Sequence, residues 1–270
     1  MKVVRAPYDE LPEPVRRTLT DRFGAGAARS DMETGESSGL ACLFTRQDGS
    51  QEFVKGLPLD HDRIDELRTE IKVNPHLPDF APRLQWTARA GAWLLLGFEG
   101  LRVTPWAHFA RGSEHLQPVS HVLRRLSTVR APDVGLRTLW DRWSEYCDPA
   151  DRPLLTGDHL VHGDPAATNF LLDHDRKAWL VDWAWAAQGP PWADTALWGL
   201  RLTLDGDHTP EQAAALASTV PAFASAPREA VRVLTEAEAR SWEDWQAFGM
   251  PDLDETVKAA RAWADHWRQT

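Results

Sequence analysis

The stretch Leu160-Val161-His162-Gly163-Asp164-Pro165-Ala166-Ala167-Thr168-Asn169-Phe170-Leu171-Leu172, followed by Trp179-Leu180-Val181-Asp182-Trp183, decides how the rest of the chain is read. Two short apolar runs each deliver a carboxylate at their end, Asp164 and Asp182, and the amide of Asn169 stands five residues after the first. Apolar runs this short, separated by a turn over 173–177, predict strands at His159 to His162, Asn169 to Leu172 and Ala178 to Val181. Carboxylate and amide oxygens suit Mg²⁺, and a second carboxylate can take a hydroxyl proton. The pattern is that of a divalent-metal site facing a polar reactant.

Upstream of this stretch the chain changes character near residue 100. Leu11, Val15, Leu19 and Phe23 recur every four residues and stop at Gly24, which predicts an amphipathic helix over 8–23. Leu40 to Thr45 and Glu52 to Lys55, parted by Asp48-Gly49, read as a hairpin. A helix over 60–73 follows, with Asp60 or Asp62 as its N-cap, and then two strands, Arg83 to Thr87 and Trp93 to Phe98. From 100 on the pattern is helical, clearest at 116–129, 136–146, 194–204, 210–218, 228–248 and 252–267. A small β-rich lobe, a connector and a larger helical lobe make an arrangement suited to a cleft ligand.

At these residues the sequence resembles the aminoglycoside phosphotransferase family of small-molecule kinases. The resemblance implies an α+β, bilobal fold like that of protein kinases, with a nucleotide-binding lobe over 1–99 and a helical catalytic and acceptor-binding lobe over 100–270. It implies Asp164 as catalytic base, Asn169 and Asp182 as Mg²⁺ ligands, and His162 as a brace of the loop. Lys55, at the end of the hairpin, matches the lysine that anchors phosphates. Glu70 is its expected carboxylate partner, with Glu66 one helical turn earlier as the substitute. The turn over 34–39 would cover the phosphates through backbone N–H groups and the hydroxyls of Ser37 and Ser38. Phe98, Glu99 and Leu101 fall where the connector's main chain would bind adenine, and Asp194 where a helix-start aspartate supports the catalytic loop. The implied activity is transfer of a phosphoryl group from ATP, with GTP as a second possible donor, to a small hydroxylated acceptor such as an aminoglycoside or related antibiotic. Other members of the fold act on choline, homoserine or sugars, and a silent nucleotide-binding module is a further alternative.

Composition bounds these readings. A chain of 270 residues, 43% hydrophobic and 26% charged, is long enough for one large domain or two lobes. The net charge of −10 argues against a general nucleic-acid binder and is compatible with a cationic acceptor. No apolar run approaches the roughly 20 residues of a membrane span, and no signal-peptide core follows the N-terminus, so a cytoplasmic protein is expected. Two cysteines, Cys42 and Cys147, support neither a disulfide scaffold nor a cysteine metal site. Lysine occurs only at positions 2, 55, 72, 177 and 258, which makes Lys55 in an apolar segment conspicuous. Fourteen tryptophans read chiefly as core anchors. Asp205, Asp207, Glu236, Glu238, Glu243 and Asp244, beside Trp242 and Trp245, are candidates either for acceptor recognition or for a solvated acidic face. A metal-hydrolase reading of Asp158, His159, His162 and Asp164 lacks a downstream histidine cluster.

Overall fold

The computed structural model describes residues 5–32, 38–101 and 103–269. The chain forms two compact units, Met1–Thr104 with Val181–Ala184, and Pro105–Leu180 with Trp185–Thr270. No helix among the described residues is long and apolar enough to cross a membrane.

In the first unit the strands β1 (Ala28–Asp31), β2 (Leu40–Thr45), β3 (Gln51–Pro58), β4 (Leu84–Ala90) and β5 (Trp93–Glu99) form an antiparallel sheet in the order β1-β2-β3-β5-β4. Helix α1 (Glu13–Phe23) packs Val15, Leu19 and Phe23 with Cys42, Phe44, Val54 and Leu95. Helix α2 (Ile64–Val73) packs Ile64 and Leu67 with Leu57, Leu96 and Phe98. Val54 and Leu57 differ by an odd number of positions, as do Leu95 and Leu96, so strand alternation assigns the two helices to opposite faces of the sheet. Lys55 shares the parity of Leu57 and therefore lies on the α2 face.

Three expectations for this unit are corrected. Helix α1 begins at Glu13, not at residue 8, because Pro12 occupies its N-cap and Tyr8–Glu10 closes off as a separate 3₁₀ turn. Helix α2 begins at Ile64 with Arg63 at the N-cap, so neither Asp60 nor Asp62 caps it; the His61 ring instead accepts from the Arg63 amide and holds the turn before the helix. Strand β1 was not expected, since Ala-Arg-Ser-Asp is exposed throughout and shows no apolar alternation.

In the second unit β9 (Phe170–Asp173) and β10 (Ala178–Leu180) pair antiparallel, with β6 (Val103–Trp106) at the edge of their sheet. A second sheet has the order β7-β11-β8, from Arg137–Thr138, Ala187–Gly189 and His159–Val161. Around them lie α3 (Leu116–Leu126), α4 (Leu139–Trp143), α5 (Ala193–Asp205), α6 (Pro210–Ala217), α7 (Pro221–Ala224), α8 (Arg228–Ala247) and α9 (Asp254–Gln269). The helix expected over 136–146 is shortened to α4, because Thr138 and Asp141 form a capping box that starts it at Leu139. Helix α5 is the axis of this unit: Trp198 on it is fully buried, and the Trp263 indole of α9 lies against Gly199 and donates to the Ala196 carbonyl at 3.0 Å. These tryptophans are core anchors, whereas Trp185 and Trp245 are exposed.

Candidate active site

Strand parity directs Lys55 toward α2, and Glu70 projects from the same helix face as Leu67, one turn earlier. The Lys55 ammonium pairs with the Glu70 carboxylate and lies 3.0 Å from Asp182 Oδ1, a residue 127 positions away in sequence. Glu66 is not the partner; it is held at 2.8 Å by Arg63. Burial alone would pull the Lys55 ammonium down, but the Asp182 and Glu70 charges outweigh it and keep the group above its ordinary value. Burial pushes the Glu70 carboxyl up to about 8, opposed by the Lys55 charge and assisted by that of Asp182.

Two carboxylates share one ammonium. Glu70 and Lys55 are enclosed, while the Asp182 side chain is 31% exposed, so the surplus negative charge has its outlet at Asp182. Asp182 holds a left-handed backbone, φ 63°, as do Arg176, Asp207 and Asp252, a conformation that aspartate tolerates better than most residues. Its partly exposed, cation-facing carboxylate fits a Mg²⁺ ligand.

The other first-unit expectations fare unevenly. Ser37 and most of the 34–39 turn lie outside the described residues. Ser38 is buried, and among the described residues its hydroxyl has no hydrogen-bond partner, which fits a partner supplied by a ligand. Phe98 and Glu99 end β5: the Phe98 ring is core, with the Lys55 ammonium 5.7 Å from its centroid, and the Glu99 amide is spent on the Arg83 carbonyl at 2.9 Å. Leu101 follows the sheet, half-buried and outside any strand.

In the second unit β8 ends in the loop that carries Asp164. The buried Asp194 carboxylate, in the first turn of α5, accepts the amides of His162 and Gly163, each at 2.8 Å. Burial raises the Asp194 carboxyl, and those two amides with the nearby Arg142 charge oppose it. His162 is fully buried, and its Nδ1 accepts from the Asp164 amide at 3.3 Å. Gly163 is required: φ is 86°, and a Cβ there would stand 2.9 Å from the Trp185 carbonyl. The loop is thus braced from below by α5 and from within by His162, as the sequence implied for both residues.

Asn169 donates from Nδ2 to the Asp164 carbonyl at 2.9 Å and to Asp164 Oδ2 at 3.1 Å. With its amide nitrogen so engaged, Asn169 keeps its carbonyl oxygen as a donor for a cation. Asp164 and Asn169 are brought together; the metal-hydrolase grouping is not. His159 Nδ1 lies 2.9 Å from Asp158 Oδ1, and among the described residues no group of three or more His, Cys, Asp or Glu is arranged to hold a metal by itself.

Sequence reasoning missed the cations around this loop. Arg201, from α5, donates to Asp164 Oδ1 at 2.8 Å, and Arg142, from α4, donates to the Gly163 carbonyl at 2.7 Å while stacking 4.0 Å from the centroid of the exposed Trp185 ring. Burial lowers the Arg142 guanidinium to about 10, with Asp164 and Glu238 opposing. The detectable signal was an arginine inside the apolar run Leu197-Trp198-Gly199-Leu200-Arg201-Leu202. Of the acidic candidates, Glu238 is buried near both arginines, and burial pushes it up to about 8. Glu236 and Glu243 are bound to Arg261, which ties α8 to α9, and Asp207 pairs with Arg111.

Sequence comparison matches the chain to no protein-family model and to no curated protein. Its fold is matched by many solved structures. Choline kinase LicA from Streptococcus pneumoniae superposes with a TM-score of 0.62 at 12% identity, over 95% of this chain and 99% of that one. Aminoglycoside phosphotransferase APH(4)-Ia superposes with a TM-score of 0.62 at 16% identity, over 94% and 98%. Macrolide 2'-phosphotransferase MphH from Brachybacterium faecium superposes with a TM-score of 0.57 at 18% identity, over 91% and 96%. A mutant of the second is known as a ternary complex with ADP and hygromycin B, and LicA as a complex with AMP. Along nearly its whole length, the chain has the fold shared by these small-molecule kinases.

Proposed function

We propose that the protein is an ATP-dependent O-phosphotransferase acting on a hydroxyl of a small molecule, an aminoglycoside or related antibiotic being the first acceptor class to test and a metabolite of the choline, homoserine or sugar type the second. The observation that carries this reading is the meeting of Glu70 and Asp182 on the buried ammonium of Lys55, from a helix and a distant loop. A buried ion cluster is weak evidence of stabilisation, and a phosphate-binding role gives this one a purpose. Nucleotide complexes of proteins with the same fold support it.

In this reading Lys55 neutralises phosphate charge, held in place by Glu70, and Ser38 offers its hydroxyl to the nucleotide. The main chain over 98–101 serves the base through its carbonyls and the Leu101 amide, since the Glu99 and Gly100 amides are spent on Arg83 and Gln51. Asp182 and Asn169 would hold Mg²⁺, which when bound neutralises the developing charge on the phosphate oxygens. Asp164 orients the acceptor hydroxyl and receives its proton as the oxygen bonds to the γ-phosphorus and the bond to the β-phosphate oxygen breaks, releasing ADP. Most of the acceleration comes from positioning, because the transition state is loose and the proton leaves late. The N-terminal lobe, 1–99, is assigned to the nucleotide and 100–270 to catalysis and the acceptor.

The test is a coupled assay of ADP or GDP release over a panel of hydroxylated antibiotics and metabolites, with mass spectrometry for an added phosphoryl group. A phosphorylated product fixes the acceptor class. No transfer from ATP or GTP to any acceptor, water included, would contradict the proposal.

A further inference from the structure

The Asp164 carboxylate is gripped from two sides. Asn169 Nδ2 occupies Oδ2 from within the loop, and Arg201 Nη2 occupies Oδ1 at 2.8 Å from α5, 37 residues further along. The two contacts together fix the rotation of the carboxylate about its Cβ–Cγ bond, which neither would do alone. A carboxylate offers about four lone-pair positions, so two remain, and their direction is set by these contacts. Helix α5 is a rigid support: its residues from Ala193 to Leu200 are all buried, and Trp263 clamps its middle. Arg201 is itself enclosed, its side chain 18% exposed and lying 5.9 Å from the Trp242 ring centroid. The charged groups that face it are Asp164 from the loop, Glu238 from α8, Asp205 from its own helix and the Arg142 guanidinium from α4.

An apolar residue at this position would fill the same space without the desolvation that a guanidinium suffers. That disadvantage is tolerable where a carboxylate has to be held in one orientation.

We propose that Arg201 is a positioning residue of the phosphoryl transfer, aiming the free lone pair of Asp164 at the acceptor hydroxyl. The inference rests on the phosphotransferase reading above. The hydroxyl proton passes to Asp164, the acceptor oxygen bonds to the γ-phosphorus, and ADP leaves; Arg201 touches none of the reacting atoms and acts through Asp164.

The experiment compares wild type, Arg201→Ala and Arg201→Lys in steady-state transfer with the acceptor found in the panel, or with water if none is found. Arg201→Ala is expected to lower kcat about 10- to 100-fold, part of the roughly 10² to 10⁴ that a positioned base supplies, with KM for the nucleotide changed less than about twofold. Guanidinium chloride at non-denaturing concentration restores part of the lost kcat in Arg201→Ala and none in wild type, a response that a merely structural role would not give. If Arg201→Ala does not fold, Arg201→Lys decides, since it keeps the charge but shortens the reach and loses the planar fork; a drop in kcat of threefold or more at unchanged nucleotide KM is then the expected result. An active wild type whose kcat survives either substitution overturns the role of Arg201 alone. A wild type with no transfer overturns the phosphotransferase reading and this inference with it.

Discussion

Asn169 holds Asp164 by two hydrogen bonds from one amide nitrogen, to the carbonyl at 2.9 Å and to Oδ2 at 3.1 Å, so the residue assigned to the metal also shapes the residue assigned to the proton. The five-residue spacing between them closes a short loop that ends in the 3₁₀ turn Ala167–Asn169 immediately before β9. In the same unit Asp194 fixes the loop's other end.

Asp194 therefore has a testable structural role. Asp194→Asn offers one acceptor where two backbone amides need one each, and turns an amide NH₂ toward an N–H group. Losing a buried bond to a charged acceptor costs about 1.5–3 kcal/mol, so thermal unfolding should shift down clearly and kcat should fall with it. An unchanged melting temperature would show that the loop does not depend on this carboxylate.

Lys55 should matter to both fold and nucleotide. Lys55→Ala leaves Glu70 and Asp182 without their shared ammonium, yet Glu70, raised by burial and no longer opposed by the Lys55 charge, can take up a proton and so limits the damage at neutral pH. The expected outcome is a modestly lower melting temperature and loss of most of the stabilisation by Mg²⁺ with ATP, which for wild type at 100 times Kd is about 2.7 kcal/mol. Full retention of kcat/KM would remove Lys55 from the phosphate site.

Glu238 gives a pH signature. Its carboxyl is raised by burial from 4.5 to about 8 in the folded chain, so the folded state binds more protons than the unfolded state between those values. Its contribution to stability is complete below about 4.5 and is lost as pH rises through about 8. Melting curves of wild type from pH 5 to 8.5 should fall more steeply than those of Glu238→Gln, which has no proton to lose. Parallel curves would mean that Glu238 is ionised throughout.

Much of this site was legible because its residues lie in short apolar runs that end in polar groups. Lys55 was conspicuous as a rare lysine between Val54 and Gly56, and Glu70 was the expected partner; Glu66, one turn earlier on the same face, is held by Arg63 instead. The polar supports were not legible. Arg201 and Arg142 reach Asp164 and Gly163 from helices whose registers are set by tertiary packing, and no local pattern says which loop an arginine will meet. Strand β1 was missed for a related reason: it is defined by its backbone ladder with β2, and its exposed side chains carry no periodic signal. Segment Val181–Ala184 shows a further limit of chain order, since Asp182 packs with Lys55 although the two stand 127 positions apart.

The central claim is that Asp164 performs the proton chemistry of a phosphoryl transfer while Asp182 serves the nucleotide and its metal. The measurement that tests it most directly is kcat, nucleotide affinity and melting temperature for Asp164→Asn and Asp182→Asn side by side. Asparagine removes the basicity of Asp164 and turns its NH₂ toward either Asn169 or Arg201, so kcat should fall at least about 10² to 10⁴-fold with Mg²⁺-dependent nucleotide binding nearly unchanged; Asp182→Asn should lose that binding together with activity. Phosphorylation of a confirmed acceptor by Asp164→Asn within threefold of wild type would contradict the account and return the His162 to Asn169 loop to a purely structural role.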